Sequence, residues 1–131
     1  MEKIVLPPTP RSPSVDFDFQ TGRLGLRGEA YPENAAAFFG PLLQAVREHF
    51  ADGGRDPTEV EIDLVYFNSS SAKALMTLFQ LCEEAAEGGR PVVVRWWHGA
   101  DDETIREFGE DFAEDFVHAT FELREKEETP S

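Results

Sequence analysis

Asn68-Ser69-Ser70-Ser71 is the part of this chain whose residue types can do chemistry. Three neighbouring hydroxyls stand where the apolar run Leu64-Val65-Tyr66-Phe67 gives way to a helical pattern. Asn and Ser side chains accept hydrogen bonds from the free N–H groups of a helix start. Lys73 falls in the first turn, at the helix end that favours anions. Such a junction can hold a phosphate, bound or covalently attached. It can equally be an ordinary N-cap with a solvated lysine. A phosphoryl group on Ser69 would add roughly −1.5 to −2 charges and three strong acceptors, and Lys73, four residues on, is spaced to reach it. The helix would tolerate that charge locally, whereas an acidic docking surface beside it would not. The result is a binary switch at little cost to stability.

No other motif competes. The serines are not framed as Gly-x-Ser-x-Gly, so there is no nucleophile elbow. His49, His98 and His118 are separated along the chain and read as exposed or capping residues. Gly22, Gly25 and Gly28 do not fit the dinucleotide fingerprint, and no Walker A lysine is present. Cys82 is the single cysteine, which excludes an intramolecular disulfide and a cysteine-based metal cluster. Glu103, Glu107, Glu110, Asp111, Glu114 and Asp115 share one helix face, and hard cations need converging loops instead. That face is therefore read as solvated or as a docking surface. Neither a metal nor another cofactor is expected, and no catalysis.

The elements that must position the junction follow from hydrophobic spacing. At 131 residues, with 40% hydrophobic residues and 11 Phe, one domain spanning 1–131 is the economical reading. Residues 1–14 form an extended Pro-rich segment holding four of the nine prolines, either a flexible tail or a strip along a sheet edge. Val15, Phe17 and Phe19 alternate with Asp16, Asp18 and Gln20, and Thr21-Gly22 turns the chain towards Leu24 and Leu26, giving a hairpin that ends near Gly28. Tyr31-Pro32-Glu33-Asn34 opens a first helix, with Glu33 expected in its first turn and Pro41 expected to kink or split it.

Val60–Phe67 reads as a strand with an edge-like start and a fully buried end. Ala72, Leu75, Met76, Phe79, Cys82 and Ala86 form the inward stripe of a second helix, stopped by Gly88-Gly89. Val92–Trp97 reads as a central strand, with Trp96 and Trp97 on opposite faces and at least one of them in the core. Asp101 is placed to cap a third helix, with Ile105, Phe108, Phe112 and Phe116 inward. Val117, Ala119, Phe121 and Leu123 face inward on a last strand, and residues 125–131 are a frayed tail. The expected fold is α/β, in the order β-β-α-β-α-β-α-β: a mixed sheet, with an N-terminal hairpin and partly parallel strands, covered by three main helices.

The net charge of −14 argues against nucleic acid or an anionic membrane as a partner. No signal peptide or membrane-spanning run is present, which implies a cytoplasmic protein with no membrane insertion.

The stretch from Ile62-Asp63-Leu64 to Asn68-Ser69-Ser70 resembles the Asp-Ser-Ser junction of STAS-domain anti-sigma-factor antagonists, with Asn68 where that family has Asp. A fuller resemblance is to the SiaC family of bacterial regulatory phosphoproteins. It runs through Thr9-Pro10, Ser12-Pro13, Val15-Asp16-Phe17-Asp18, Gly28, Tyr31-Pro32-Glu33-Asn34, Asp63 to Lys73, Gly88-Gly89-Arg90-Pro91-Val92 and Phe108-Gly109-Glu110-Asp111-Phe112. These motifs favour an ordered N-terminal segment. The resemblance implies a STAS-like domain without catalysis. In its unphosphorylated form it would bind and activate a diguanylate cyclase, raising cyclic di-GMP and promoting biofilm or aggregation. It also implies a protein kinase and a PP2C-type phosphatase as partners. The implied acceptor is Ser69, with Ser70 and Ser71 as alternatives. Asn68, Ser70, Ser71 and Lys73 would form the partner-binding surroundings. The alternative is a STAS-type anti-sigma-factor antagonist in a partner-switching pathway.

Overall fold

The alternating residues after the Pro-rich segment form β2 (Ser14–Asp18) and β3 (Arg23–Ala30), which pair antiparallel. The computed structural model describes residues 2–126. A further strand, β1 (Ile4–Leu6), lies antiparallel on the outer edge of β2, so the N-terminal segment follows the sheet-edge reading and the hairpin gains a third strand. After β3 come α1 (Ala35–Ala51), β4 (Thr58–Phe67), α2 (Ser69–Glu87), β5 (Val92–His98), α3 (Glu103–Ala113) and β6 (Thr120–Glu125). From β2 onwards this is the expected order, in one mixed α/β sheet with three helices.

The six strands lie in sequence order, and β3, β4, β5 and β6 are mutually parallel. Each parallel crossover therefore steps the same way, and right-handed connections place all three helices on one face. Val15, Phe17, Leu24, Leu26, Val60, Ile62, Val94 and Trp96 point into that face and are at most 3% exposed. The other face is wet and carries ion pairs along the strands. Arg95 bridges Glu59, Glu61 and Glu122, while Arg27 and Lys126 both lie against Asp63. Trp96 sits in the core and donates from Nε1 to the carbonyl of Ile105. Trp97 takes the opposite face and donates to Glu61.

The helices differ from expectation where local chemistry outweighs periodicity. α1 is continuous through Pro41, and Asn34 is its N-cap, which leaves Pro32 and Glu33 ahead of the helix and its first turn without an acid. Asp102, not Asp101, caps α3 by accepting from the N–H of Ile105. Gly109 lets α3 lie against the core, since a Cβ there would stand 2.4 Å from Trp96 Cδ1. Met76 and Phe108, placed inward by spacing, are 56% and 41% exposed. Val117 is not in a strand and is 80% exposed. Its N–H and those of His118 and Ala119 all donate to Glu83 Oε1 of α2, at 3.1, 2.8 and 2.6 Å, which pulls the loop out of strand geometry. Burial raises the Glu83 carboxyl's pKa, but these three bonds outweigh it and leave the net shift downward.

His49 and His98 are buried rather than exposed. His49 Nε2 shares a hydrogen bond with Thr58 Oγ1, and His98 Nδ1 one with the carbonyl of Gly99. Cys82 is enclosed in the core, and burial pushes its thiol up to about 12. At the C-terminus, Glu125 ends β6 paired with His98, and the N–H of Lys126 donates to the His98 carbonyl. The frayed tail placed at 125–131 therefore does not begin at Glu125, and residues 127–131 lie outside the described residues.

Candidate functional site

The serine junction sits at the C-terminal end of the parallel strands. β4 keeps its pairing with β5 only as far as Ile62. On its other side, Gly28 pairs with Leu64 and Glu29 with Tyr66, so Val65 is the extra residue of a bulge. Gly28 accommodates it at φ +119, a conformation open to glycine. Val65 and Tyr66 are consequently each 50% exposed, and the end of β4 is not the fully buried one that its apolar run suggests. Phe67 turns back inward and packs edge-on against Trp96 and Phe108. The chain is then held by the N–H of Asn68, which donates to the carbonyl of Ala30.

Asn68 is the cap. Its backbone is extended, at φ −91° and ψ 177°, and its Oδ1 accepts from the N–H of Ser71 at 3.0 Å. Ser69, Ser70 and Ser71 are thus the first three residues of α2, and their environments differ. Ser69 and Ser70 are exposed. Ser71 is fully buried, and its Oγ has no hydrogen-bond partner among the described residues. Lys73 is exposed, one turn further along the same helix, and is not hydrogen-bonded to any of the serines. The five singled-out residues therefore share one helix start, but Ser71 faces inward and the others outward or part-way.

The surroundings come from segments that spacing alone does not bring together. Tyr31 packs edge-on against Tyr66, with ring centroids 5.5 Å apart. The N–H of Tyr31 donates to the carbonyl of Arg11, which ties the Pro-rich segment to this end of the sheet. That segment is itself closed by the Thr9 and Ser12 hydroxyls, 2.6 Å apart. On either side of α2 runs a groove. One, of about 490 Å³, lies against α3 and includes Met76, Phe112, Phe116, Glu83 and Asp115. The other, of about 630 Å³, lies against α1 and includes Gly40, Arg47, Ser70 and Ala74. Lys73 stands on the crest between them.

Residues 69–87 and 101–116 carry eleven carboxylates against two cations, Lys73 and Arg106, so much of the chain's negative charge lies on this flank. Among the described residues, no group of three or more His, Cys, Asp or Glu side chains is arranged to hold a metal, and no helix is long and apolar enough to cross a membrane.

Residues 6–126 match the family described as SiaC family regulatory phosphoprotein. An uncharacterized protein of Pseudomonas aeruginosa strain UCBPP-PA14 is 42% identical over 115 residues, which is 88% of this chain and 90% of that protein. The crystal structure of apo-SiaC from Pseudomonas aeruginosa has a TM-score of 0.87 at 39% identity, covering 95% of this chain and 99% of that one. A chain of the crystal structure of the diguanylate cyclase SiaD in complex with its activator SiaC, also from Pseudomonas aeruginosa, has a TM-score of 0.89 at 38% identity, covering 94% and 99%.

Proposed function

This chain belongs to the SiaC family of regulatory phosphoproteins and is a regulator rather than a catalyst, and from that premise we propose that its unphosphorylated form binds and activates a diguanylate cyclase in the cytoplasm. The observation that carries the reading is the near-complete likeness to SiaC in its complex with the cyclase SiaD. Raised cyclic di-GMP, with the biofilm or aggregation it promotes, would be the output. A partner protein kinase adds the phosphoryl group, and a PP2C-type phosphatase removes it.

Ser69 is the acceptor in this reading. It is exposed on the first turn of α2, where free N–H groups and the helix dipole favour added negative charge. Ser70 is the alternative with comparable access, whereas the enclosed hydroxyl of Ser71 could reach a kinase only if the helix start opened. Asn68 caps the helix, and Lys73 is spaced to meet the phosphoryl group.

Incubation with the cognate kinase and ATP should add the mass of one phosphate, and Ser69→Ala should abolish the addition. Phosphate uptake by Ser69→Ala at the parent rate would move the acceptor away from Ser69. Cyclic di-GMP synthesis by the cyclase should rise with the bare protein and not with the phosphorylated one. Isolation of an anti-sigma factor as the main partner would instead favour the antagonist reading.

A further inference from the structure

We propose that the open face of the sheet is a self-association surface, on which a second copy of this chain packs face to face about a two-fold axis. The three helices cover the opposite face, where the inward side chains of the strands are buried. On β2 to β5 the charges of the open face run in stripes, one sign to a strand. β2 presents Asp16, and β4 presents Glu59, Glu61 and Asp63. Between them β3 presents Arg23 and Arg27, and beyond β4 comes Arg95 of β5. Six of the twelve Lys and Arg side chains pair with acids on this face. The excess of negative charge therefore lies elsewhere, largely on the helix side. Two chains of net charge −14 that meet through the open face hold those acidic flanks apart.

Stripes of alternating sign match their own two-fold copy. An axis running along the strands between β3 and β4 keeps each residue at its own height, and sets β3 over β4 and β2 over β5 of the second copy. Within the chain Arg23 is level with Glu59, Arg27 with Asp63, and Asp16 with Gly25, Glu61 and Arg95. Arg23 and Arg27 of one copy therefore face Glu59 and Asp63 of the other, and Asp16 faces Arg95. Sizes match as well as signs, since Gly25 faces the longer Glu61 and Ser14 comes opposite Trp97. A hollow of about 730 Å³ over Ser14, Gly25 and Trp97 gives the opposing side chains room. The side chains that gain a partner are those with most free surface. Asp16, Arg23 and Arg27 are 67%, 75% and 81% exposed, and their ion pairs within the chain are 3.3 to 3.6 Å long. Six strands about 4.8 Å apart and about six residues long give a face on the order of 500 Å² per copy. That is below the roughly 800 Å² of a standard interface, so the dimer is weak and reversible.

Sedimentation equilibrium of the full chain, carried up to about 1 mM, should show a monomer–dimer equilibrium. Arg23→Glu combined with Arg27→Glu reverses the β3 stripe and breaks two exposed ion pairs that add little to stability. Its melting temperature should stay close to the parent's while dimerisation weakens at least tenfold. Asp16→Arg sets a cation opposite Arg95 of the second copy and should weaken dimerisation by a similar factor. Glu107→Arg, exposed on α3, should leave it within twofold of the parent. A parent that stays monomeric at every concentration overturns the proposal, as does dimerisation within twofold of the parent in both reversal variants. A tenfold loss in Glu107→Arg would place the association on the helix side and overturn it too.

Discussion

Where β4 and β5 begin, the Arg90 guanidinium is 5% exposed, donates to Asp52 Oδ1 and to the carbonyls of Asp56 and His49, and lies over the Phe50 ring. Where β4 ends, the Ser71 hydroxyl is as deeply enclosed and has no partner, while Val65, Tyr66 and Phe108 leave apolar surface in water. At the first end, one buried cation closes the C-terminus of α1 and the loop after it. At the second, three chain segments and three helix starts meet, with polar and apolar groups left unmatched. The apolar groups left in water there are open to a second chain, whereas the Ser71 hydroxyl is enclosed. The first end holds the fold, and the second is where the proposed function places the partner and the phosphoryl group.

The contrast can be broken most forcefully at Arg90. Replacing Arg90 with Met leaves Asp52 and two carbonyls without their donor, and removal of one partner from a buried ionic contact is strongly destabilising. Asp52 is itself largely exposed and can be rehydrated, so the expected loss is about 2–4 kcal/mol. It would be read as a lower urea midpoint at unchanged slope. The folded fraction should still take up phosphate at Ser69. A loss under about 1 kcal/mol would remove the distinction between the two ends.

His49, beside Arg90, sharpens the same contrast through pH. Burial first, and the nearby Arg90 charge second, hold its pKa below 6.5. The unfolded chain therefore binds the proton more readily, so this contribution is fully present above pH 6.5 and is lost as pH falls below it. The slope should not exceed about 1.4 kcal/mol per pH unit for one proton. Comparing urea midpoints of the parent and His49→Gln between pH 5 and 7.5 would show it. An equal slope in the variant would assign the titration to another group.

The hairpin, the helix order and the opposite faces of Trp96 and Trp97, with at least one of them in the core, were legible because period-2 and helical spacing were strong in those stretches. The serine junction was legible because capping residues, a cation and the family motif coincided there. Three features were not. Ile4-Val5-Leu6 is too short to show a period and is followed by Pro7-Pro8, so β1 could be read only as one of two fates for the segment. The apolar run Leu64–Phe67 spelled burial, but the Gly28 bulge and the early end of β5 pairing turned two of its residues outward. The role of Glu83 has no sequence signal, because its three donors lie 34–36 residues away in a loop without a pattern of its own.

At the open end, the cap is the next test. Asn68→Ala removes the acceptor for the Ser71 N–H, a change that typically costs about 1 kcal/mol. It should also slow phosphate uptake at Ser69 by letting the first turn fray, without shifting the pH response set by His49. Restoration of both properties by Asn68→Asp would confirm that the cap acts through its side-chain oxygen.

The smallest effect separates the two ends most cleanly. Ser71→Ala removes a hydroxyl that is buried without a partner, so there is no internal hydrogen bond to lose. Alanine is also the better helix former, by a few tenths of a kcal/mol. The variant should be as stable as the parent or up to about 1 kcal/mol more stable, and should be phosphorylated normally, since Ser69 and Ser70 remain. A loss above about 1 kcal/mol would mean that the hydroxyl is satisfied in solution by an ordered water. The C-terminal end of the sheet would then be as well matched internally as the end closed by Arg90, and its exposure would have to be explained by Val65, Tyr66 and Phe108 alone.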